Sequence, residues 1–282
     1  MSDTPAKIAL IGSGVMGEAI IAGLLRNGIT LPDCILASGP RPERGDELVK
    51  GYGIQVFTDN QQAAQVADVV ILSVKPQKLQ RVLAGLNGKV RPAALVLSIV
   101  AGASIQTLMD GLAHPNVVRA MPNTPAQIGE GISVWTASHS TSPEQVELAR
   151  RILGALGQEV FVEEENYLDM ATALSGTGPA YVFLFMEALI DAGVHLGFPR
   201  RIAEKLVVET IRGTLDYYTS RKIHPAALRN EVTWPGGTSA AALYYLDKAG
   251  FRTAISRAIW AAYERSQELG KGKGEGQPPE KD

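Results

Sequence analysis

The chain of 282 residues contains a single cysteine, Cys34, and only four histidines. One cysteine excludes an internal disulfide framework and a cysteine-built metal site. His114, His139, His195 and His224 show no ligand spacing, so each reads as a surface or capping residue and no metal is expected. Neither sign of charge is in excess: 27 Lys and Arg face 29 Asp and Glu, a formal net charge of −2. Nothing in that balance favours nucleic acid or an anionic membrane as a partner. Long hydrophobic runs are also missing. The longest, Ala180 to Ile190, contains Glu187 and is followed by Asp191, which makes it too short and too charged for a bilayer span. No basic-then-apolar leader precedes Lys7, so a soluble, cytoplasmic protein is expected.

What remains is ample apolar material, 45% of the residues, enough to bury a core. The amino-terminal half alternates strand and helix. Lys7-Ile-Ala-Leu-Ile11 is a short apolar run that ends at Gly12-Ser-Gly14-Val-Met-Gly17, and an amphipathic stretch from Glu18 to Asn27 follows at once. Strand, glycine-rich turn and helix in that order form a dinucleotide-binding βαβ unit. Gly12 would allow the tight turn, Gly14 the approach of a pyrophosphate, and Gly17 close packing of helix on strand. The helix start would present N–H groups and its positive dipole end to the phosphates.

A second strand, Cys34-Ile-Leu-Ala-Ser38, decides the cofactor. NAD-selective sites place an acid at its end to bind the ribose 2′-hydroxyl. Here the chain reads Ser38-Gly39-Pro40-Arg41-Pro42-Glu43-Arg44, with a hydroxyl and two guanidinium groups instead. Arginine binds a 2′-phosphate through charge-assisted bonds, so NADPH is expected to be preferred and NADH to bind more weakly. Arg41 is the favoured contact, and the bland alternative makes both arginines solvated loop charges.

Ala67 to Val74 and Ala94 to Val100 are apolar runs rich in β-branched residues, suited to strands buried on both faces of a parallel sheet. Ligands lie beyond the carboxyl ends of such strands, which puts Lys75 and Ala101 beside a nicotinamide. A short strand, Val117-Val118, then leads into Arg119-Ala-Met-Pro-Asn-Thr-Pro125, read as a stiff loop because of its two prolines. The acidic cluster Glu163 to Glu165 reads as a solvated loop at a domain boundary.

The carboxy-terminal half reads as helical: Ala180 to Leu196, Arg200 to Lys222, a shorter helix from Thr238, and Phe251 to Leu269. The first is apolar on nearly all sides, through Tyr181, Phe183, Leu184, Phe185, Met186, Leu189 and Ile190. Four helices in such a span cannot easily bury it, so a partner subunit is expected. The fold class is therefore α/β: a Rossmann domain over 1–165, a helical dimerisation and substrate domain over 166–270, and a disordered tail over 271–282.

Before the short helix lies Pro235-Gly-Gly-Thr-Ser239. Two glycines ahead of Thr238, a good N-cap type, expose consecutive backbone N–H groups at a helix start, a natural carboxylate site. Taken alone, Pro-Gly-Gly could equally be a turn that caps a helix.

Six blocks in this order resemble the pyrroline-5-carboxylate reductase family along nearly the whole chain: Ile11 to Gly17, Val74-Lys-Pro-Gln77, Ser98 to Gly102, Arg119 to Pro125, Ala173 to Tyr181 and Pro235 to Ser239. The resemblance implies NADPH-dependent reduction of 1-pyrroline-5-carboxylate to proline, and an interlocked homodimer that often builds larger rings, up to a decamer. Carried over, the cofactor residues are Gly12, Ser13, Gly14, Val15, Met16, Gly17, Ser38, Asn60, Val74, Lys75 and Ala101. The small imino-acid substrate would meet Gly236, Gly237, Thr238 and Ser239, the last two as catalytic residues. This chain departs from many members at Val15, where they carry Asn, at Trp234, where they carry Ser, and at Ser239, where they carry Thr. A β-hydroxyacid dehydrogenase would need a lysine in the first long helix after the boundary, and Tyr167 to Arg200 contains none. A non-catalytic NADPH-sensing protein is the third reading, disfavoured by the intact glycines, Lys75 and Gly-Gly-Thr-Ser loop.

Overall fold

The apolar runs of the amino-terminal half become the strands of one sheet in a computed structural model, which describes residues 5–270. Its strands are β1 (Ile8–Ile11), β2 (Ile35–Ser38), β3 (Gln55–Phe57), β4 (Val69–Leu72), β5 (Leu95–Ser98), β6 (Val117–Met121), β7 (Gly131–Ala137) and β8 (Gly157–Phe161). The sheet order is β3-β2-β1-β4-β5-β6-β7-β8, and every pair is parallel except β6 with β7. Strand order reverses beside β1, which has β2 on one side and β4 on the other. In an open α/β sheet that reversal is where a crevice opens at the carboxyl ends.

Helices α1 (Val15–Arg26), α2 (Pro42–Tyr52), α3 (Asn60–Ala64), α4 (Pro76–Leu86), α5 (Ile105–Leu112), α6 (Pro143–Gly154) and α7 (Tyr167–Ala171) accompany these strands. Their starts are locally encoded. Proline stands first in α2, α4 and α6, where its missing N–H costs nothing. Ser142 and Gln145 form a reciprocal capping box on α6, and Ser104 caps α5 through Thr107 N. Successive β1 residues point to opposite faces of the sheet. Ile8 and Leu10 join a core with Ile20, Ile21 and Leu24 of α1 and Ile152 and Leu153 of α6. Ala9 and Ile11 join another with Ala63, Leu79, Leu83 and Leu108 from α3, α4 and α5.

Several expectations shift. Cys34 lies in a 3-10 turn started by Pro32, one residue before β2. Strand β6 continues through Arg119 to Met121, so the first three residues read as loop are strand paired to β7. His114 is buried, at 4% exposure, and its Nε2 bonds Ala94 O at 2.8 Å.

The contacts divide the chain into two compact units. The first runs to Thr177 and resumes at Ala262; the second is Gly178–Ala261. Residues 166–177 and 262–270, assigned to the helical half from sequence, therefore pack within the first unit. The tail 271–282 lies outside the described residues. The second unit is built from α8 (Gly178–His195), α9 (Arg200–Arg221), α10 (Pro225–Glu231), α11 (Thr238–Lys248) and the first part of α12 (Phe251–Gly270). Gly193 of α8 lets Ala203 of α9 approach: a side-chain carbon there would meet Ala203 Cβ at 3.0 Å. Phe185 and Phe251 stack at a tilt with centroids 6.3 Å apart. No residue of α8 is buried in the single chain, and Phe183 and Leu184 are 64% and 66% exposed.

Ahead of α8, Thr172–Gly176 is a π-helical turn, so the helical stretch from Tyr167 to His195 is nearly unbroken. It covers 29 residues with a window of mean hydropathy 1.4, long and apolar enough by composition to cross a membrane. The run read from sequence, Ala180 to Ile190, lies inside this longer helical stretch.

Candidate active site

The glycine-rich turn leaves β1 at its carboxyl end. Gly12 has φ +103°, and a side-chain carbon there would sit 2.8 Å from Ser73 O, so glycine is required twice over. Its N–H bonds Ser38 O at 2.9 Å, and the Ser73 hydroxyl donates to its carbonyl, fastening the turn to β2 and β4. Gly14 is the N-cap of α1, no side chain caps that helix, and nothing lies within 4 Å of where its side chain would be. An uncapped helix start with open space beside it fits a phosphate, through the amides of Val15, Met16 and Gly17 and the helix dipole. Gly17 is buried, with Ser73 Oγ 3.2 Å from the place of a side chain.

The other expected cofactor residues gather on the same carboxyl edge. Ser38 ends β2 and Asn60 begins α3; Arg41 is the N-cap residue of α2; Val74 and Lys75 follow β4, and Ala101 follows β5. Ser38 is fully buried and its hydroxyl donates to Asn60 Oδ1 at 2.7 Å. Arg41 and Lys75 are exposed, with no ion pair among the described residues. Arg44, weighed above as a second phosphate contact or a solvated charge, is not merely solvated. It is paired with Glu18 and with Glu47 (2.7 Å), and its Nε donates to Ser13 O at 3.1 Å. The Arg44 bond holds the Glu18 carboxyl below its ordinary range; burial opposes this, and a hydrogen bond from Tyr52 (3.0 Å) assists it.

Sequence reasoning missed two further features of this unit. The Arg119 side chain, 6% exposed, donates to Glu165 Oε1 and Asp169 Oδ1, each at 2.9 Å. Glu165 also accepts from Ile105 N at 2.7 Å, at the start of α5, and Ser266 of α12 donates to Asp169 at 2.9 Å. Glu165 is thus a buried-arginine partner and helix cap, and the expected solvated acidic loop is corrected at that residue. Two separate family blocks also meet. Asn123 Nδ2 donates to Ser175 O at 3.2 Å and its Oδ1 accepts from Ile132 N at 3.0 Å, while Met121 Cε lies 2.7 Å from where a side chain on Gly176 would be.

In the second unit, Trp234-Pro235-Gly236-Gly237 is a turn with Gly236 at φ +77° and Gly237 N bonded to Trp234 O at 3.1 Å. Proline then a positive-φ glycine is the type II pattern. The turn makes Gly237, not Thr238, the N-cap residue of α11, which corrects the capping role expected of Thr238. No side chain caps α11, so its first amides remain available to an anion. Ser239 is half-buried in that first turn, and its hydroxyl makes no hydrogen bond among the described residues. Trp234 is 64% exposed, with Nε1 2.9 Å from the place of a Gly237 side chain.

A doubly wound sheet with an open, glycine-lined helix start, joined to a separate helical unit, defines a nicotinamide-dependent oxidoreductase. Residues 7–102 match the family model described as NADP oxidoreductase, coenzyme F420-dependent, and residues 165–269 match pyrroline-5-carboxylate reductase dimerisation. The pyrroline-5-carboxylate reductase of Synechocystis is 47% identical over 94% of this chain and 98% of its own length; that of Corynebacterium melassecola is 41% identical over 94% and 98%. The Plasmodium falciparum pyrroline carboxylate reductase, solved with NADP bound, superposes with a TM-score of 0.87 at 30% identity over 94% of this chain and 98% of that one. The Coxiella burnetii pyrroline-5-carboxylate reductase gives 0.84 at 34% identity over 94% and 99%. This chain belongs to the pyrroline-5-carboxylate reductase family. The dimerisation match covers the apolar helix α8, and the protein forms homo-oligomers through this domain.

Proposed function

We propose that the protein reduces 1-pyrroline-5-carboxylate to L-proline with NADPH, the last step of proline biosynthesis. The observation that carries this reading is the start of α11. A turn that favours glycine at Gly236 delivers uncapped amides and the Ser239 hydroxyl to one helix end. That set of donors suits a small cyclic imino acid with one carboxylate.

Family membership and the NADP-bound relative support the cofactor. The residues that would hold it are Gly12, Ser13, Gly14, Val15, Met16 and Gly17 at the pyrophosphate, and Asn60, oriented by Ser38, with Arg41 at the 2′-phosphate. Val74, Lys75 and Ala101 would border the nicotinamide. When bound, NADPH supplies the hydride that reduces the C=N carbon. The chain's own residues do the rest. Gly236, Gly237 and the first amides of α11 hold the carboxylate, and Thr238 keeps that loop ordered. Ser239 hydrogen-bonds the ring nitrogen and relays a proton to it. Holding the imine in one orientation supplies much of the acceleration.

The assembly assigned here is an interlocked homodimer, grouped into a ring of dimers as large as a decamer, in the cytoplasm. The exposed apolar surface of α8 supports a subunit interface as its cover.

The test is NADPH consumption with pyrroline-5-carboxylate, pyrroline-2-carboxylate and piperideine-carboxylate side by side. Fastest turnover with the first is expected; cofactor binding without turnover of any would favour a sensing role instead.

A further inference from the structure

Arg44 was legible in the sequence as a positive charge near the 2′-phosphate, yet its hydrogen bonds face inward. Its Nε holds Ser13 O at 3.1 Å, Nη1 holds Glu47 at 2.7 Å, and Nη2 holds Glu18. These partners sit on three pieces of chain: the glycine-rich turn, α2, and the first turn of α1. Gly39 leaves room for the Ser13 side chain, since a side-chain carbon there would meet Ser13 Oγ at 2.7 Å. The carbonyl orientation of the phosphate turn is therefore fixed by a guanidinium from the next βα unit.

The charges lead to the same place. Glu18 stands one residue beyond Gly17, in the first turn of the helix whose start would receive a pyrophosphate. Left bare, its carboxylate would repel that anion. Arg44 neutralises it, and with Glu47 as a second acid on the same guanidinium, little positive field remains to attract a 2′-phosphate. Arg41, three residues earlier, is exposed and has no such partners among the described residues.

We propose that Arg44 is a positioning residue that sets affinity for the dinucleotide as a whole and does not read its 2′-phosphate. It acts by fixing Ser13 and by masking Glu18. The proposal rests on the reading of Gly12 to Gly17 as the dinucleotide turn.

The experiment is calorimetric titration of NADPH, NADH and adenosine 2′-monophosphate into the full-length protein, with apo melting temperatures recorded alongside. Arg44→Ala should raise Kd for NADPH and NADH by the same factor, about tenfold for one lost charge-assisted contact, and leave adenosine 2′-monophosphate unaffected. Arg41→Ala should weaken NADPH and adenosine 2′-monophosphate and spare NADH. Adding Glu18→Gln to Arg44→Ala should recover part of the affinity for both dinucleotides, which a merely structural arginine would not show. If Arg44→Ala melts too low to titrate, Arg44→Lys keeps the charge beside Glu18 but loses the planar fork. It should then show a smaller loss in the same ratio. A selective loss of NADPH or of adenosine 2′-monophosphate on changing Arg44 would overturn the proposal. Failure of the unaltered protein to bind either dinucleotide would overturn the reading of the turn itself.

Discussion

The Ser38 hydroxyl donates to the side-chain oxygen of Asn60 at 2.7 Å, tying the end of β2 to the first residue of α3. A hydroxyl that donates to Oδ1 leaves the amide NH2 of Asn60 as a donor, and neither side chain carries negative charge. No acid ends β2, so the carboxylate that NAD-selective sites place there is missing. Preference for NADPH over NADH is expected, and Arg41→Ala should reduce it by roughly ten- to a hundredfold, since a charge-assisted bond contributes about 1.5–3 kcal/mol. The measurement is kcat/KM for both cofactors; equal values in the unaltered protein would refute it.

Arg119 is buried between Glu165 and Asp169, and removing it strands two carboxylates that also hold Ile105 N and Ser266. Breaking a buried pair from one side costs about 3–5 kcal/mol. Arg119→Ala should lose stability on that scale in chemical denaturation, and Arg119→Lys, able to serve one acid well, should lose less. A change within experimental error for Arg119→Ala would show that the network contributes nothing.

Burial holds the His114 imidazole below its ordinary value of 6.5, against a smaller upward effect from the Ala94 carbonyl. The unfolded chain therefore binds a proton below pH 6.5 that the folded chain resists. The resulting stability is complete above that pH and is lost as pH falls towards the lowered folded value. Melting temperatures should drop with acidification in this window, and His114→Gln, which can still donate to Ala94 O, should flatten the slope. An unchanged slope in the variant would place the titration elsewhere.

The parts of the fold that were legible are those in which one residue type decides locally. Strands β1, β2, β4 and β5 are buried on both faces, so their sequences are continuous apolar runs. Strand β3 has three residues at the sheet edge, and β7 carries Ser133 and Thr136 inward, so neither shows a clear period. Arg119 looked like loop because it is charged and close to two prolines. Backbone pairing with β5 and β7 makes it a strand residue, and carboxylates 46 and 50 residues away compensate its buried charge. The partners of Arg44 and the cap of α11 were illegible for a related reason. Residue type offered a loop charge and a helix cap, while contacts with Glu18 and Ser13 in one case, and the turn at Gly236 in the other, are set by residues apart from them.

The proton relay proposed above depends on Ser239. Ser239→Ala should lower kcat and kcat/KM together, with NADPH affinity nearly unchanged. The imine can also take a proton from water, so a loss of roughly 10- to 100-fold is expected, at or below the lower end of positioned proton transfer. Ser239→Thr keeps the hydroxyl on the same helix start and should retain most activity, whereas Thr238→Ala should act more on substrate KM. Steady-state kinetics at saturating NADPH separates these effects; full kcat with only KM altered in Ser239→Ala would make the hydroxyl a binding group.

The most direct measurement follows the hydrogen itself. Pyrroline-5-carboxylate is incubated with the protein and NADPH deuterated on the transferred face of nicotinamide C4, and the product is read by mass spectrometry. Reduction of the C=N bond by hydride from the cofactor predicts proline carrying one deuterium at ring C5, formed in equal amount to the NADP produced. Unlabelled proline, or cofactor that binds but is never oxidised, would contradict it.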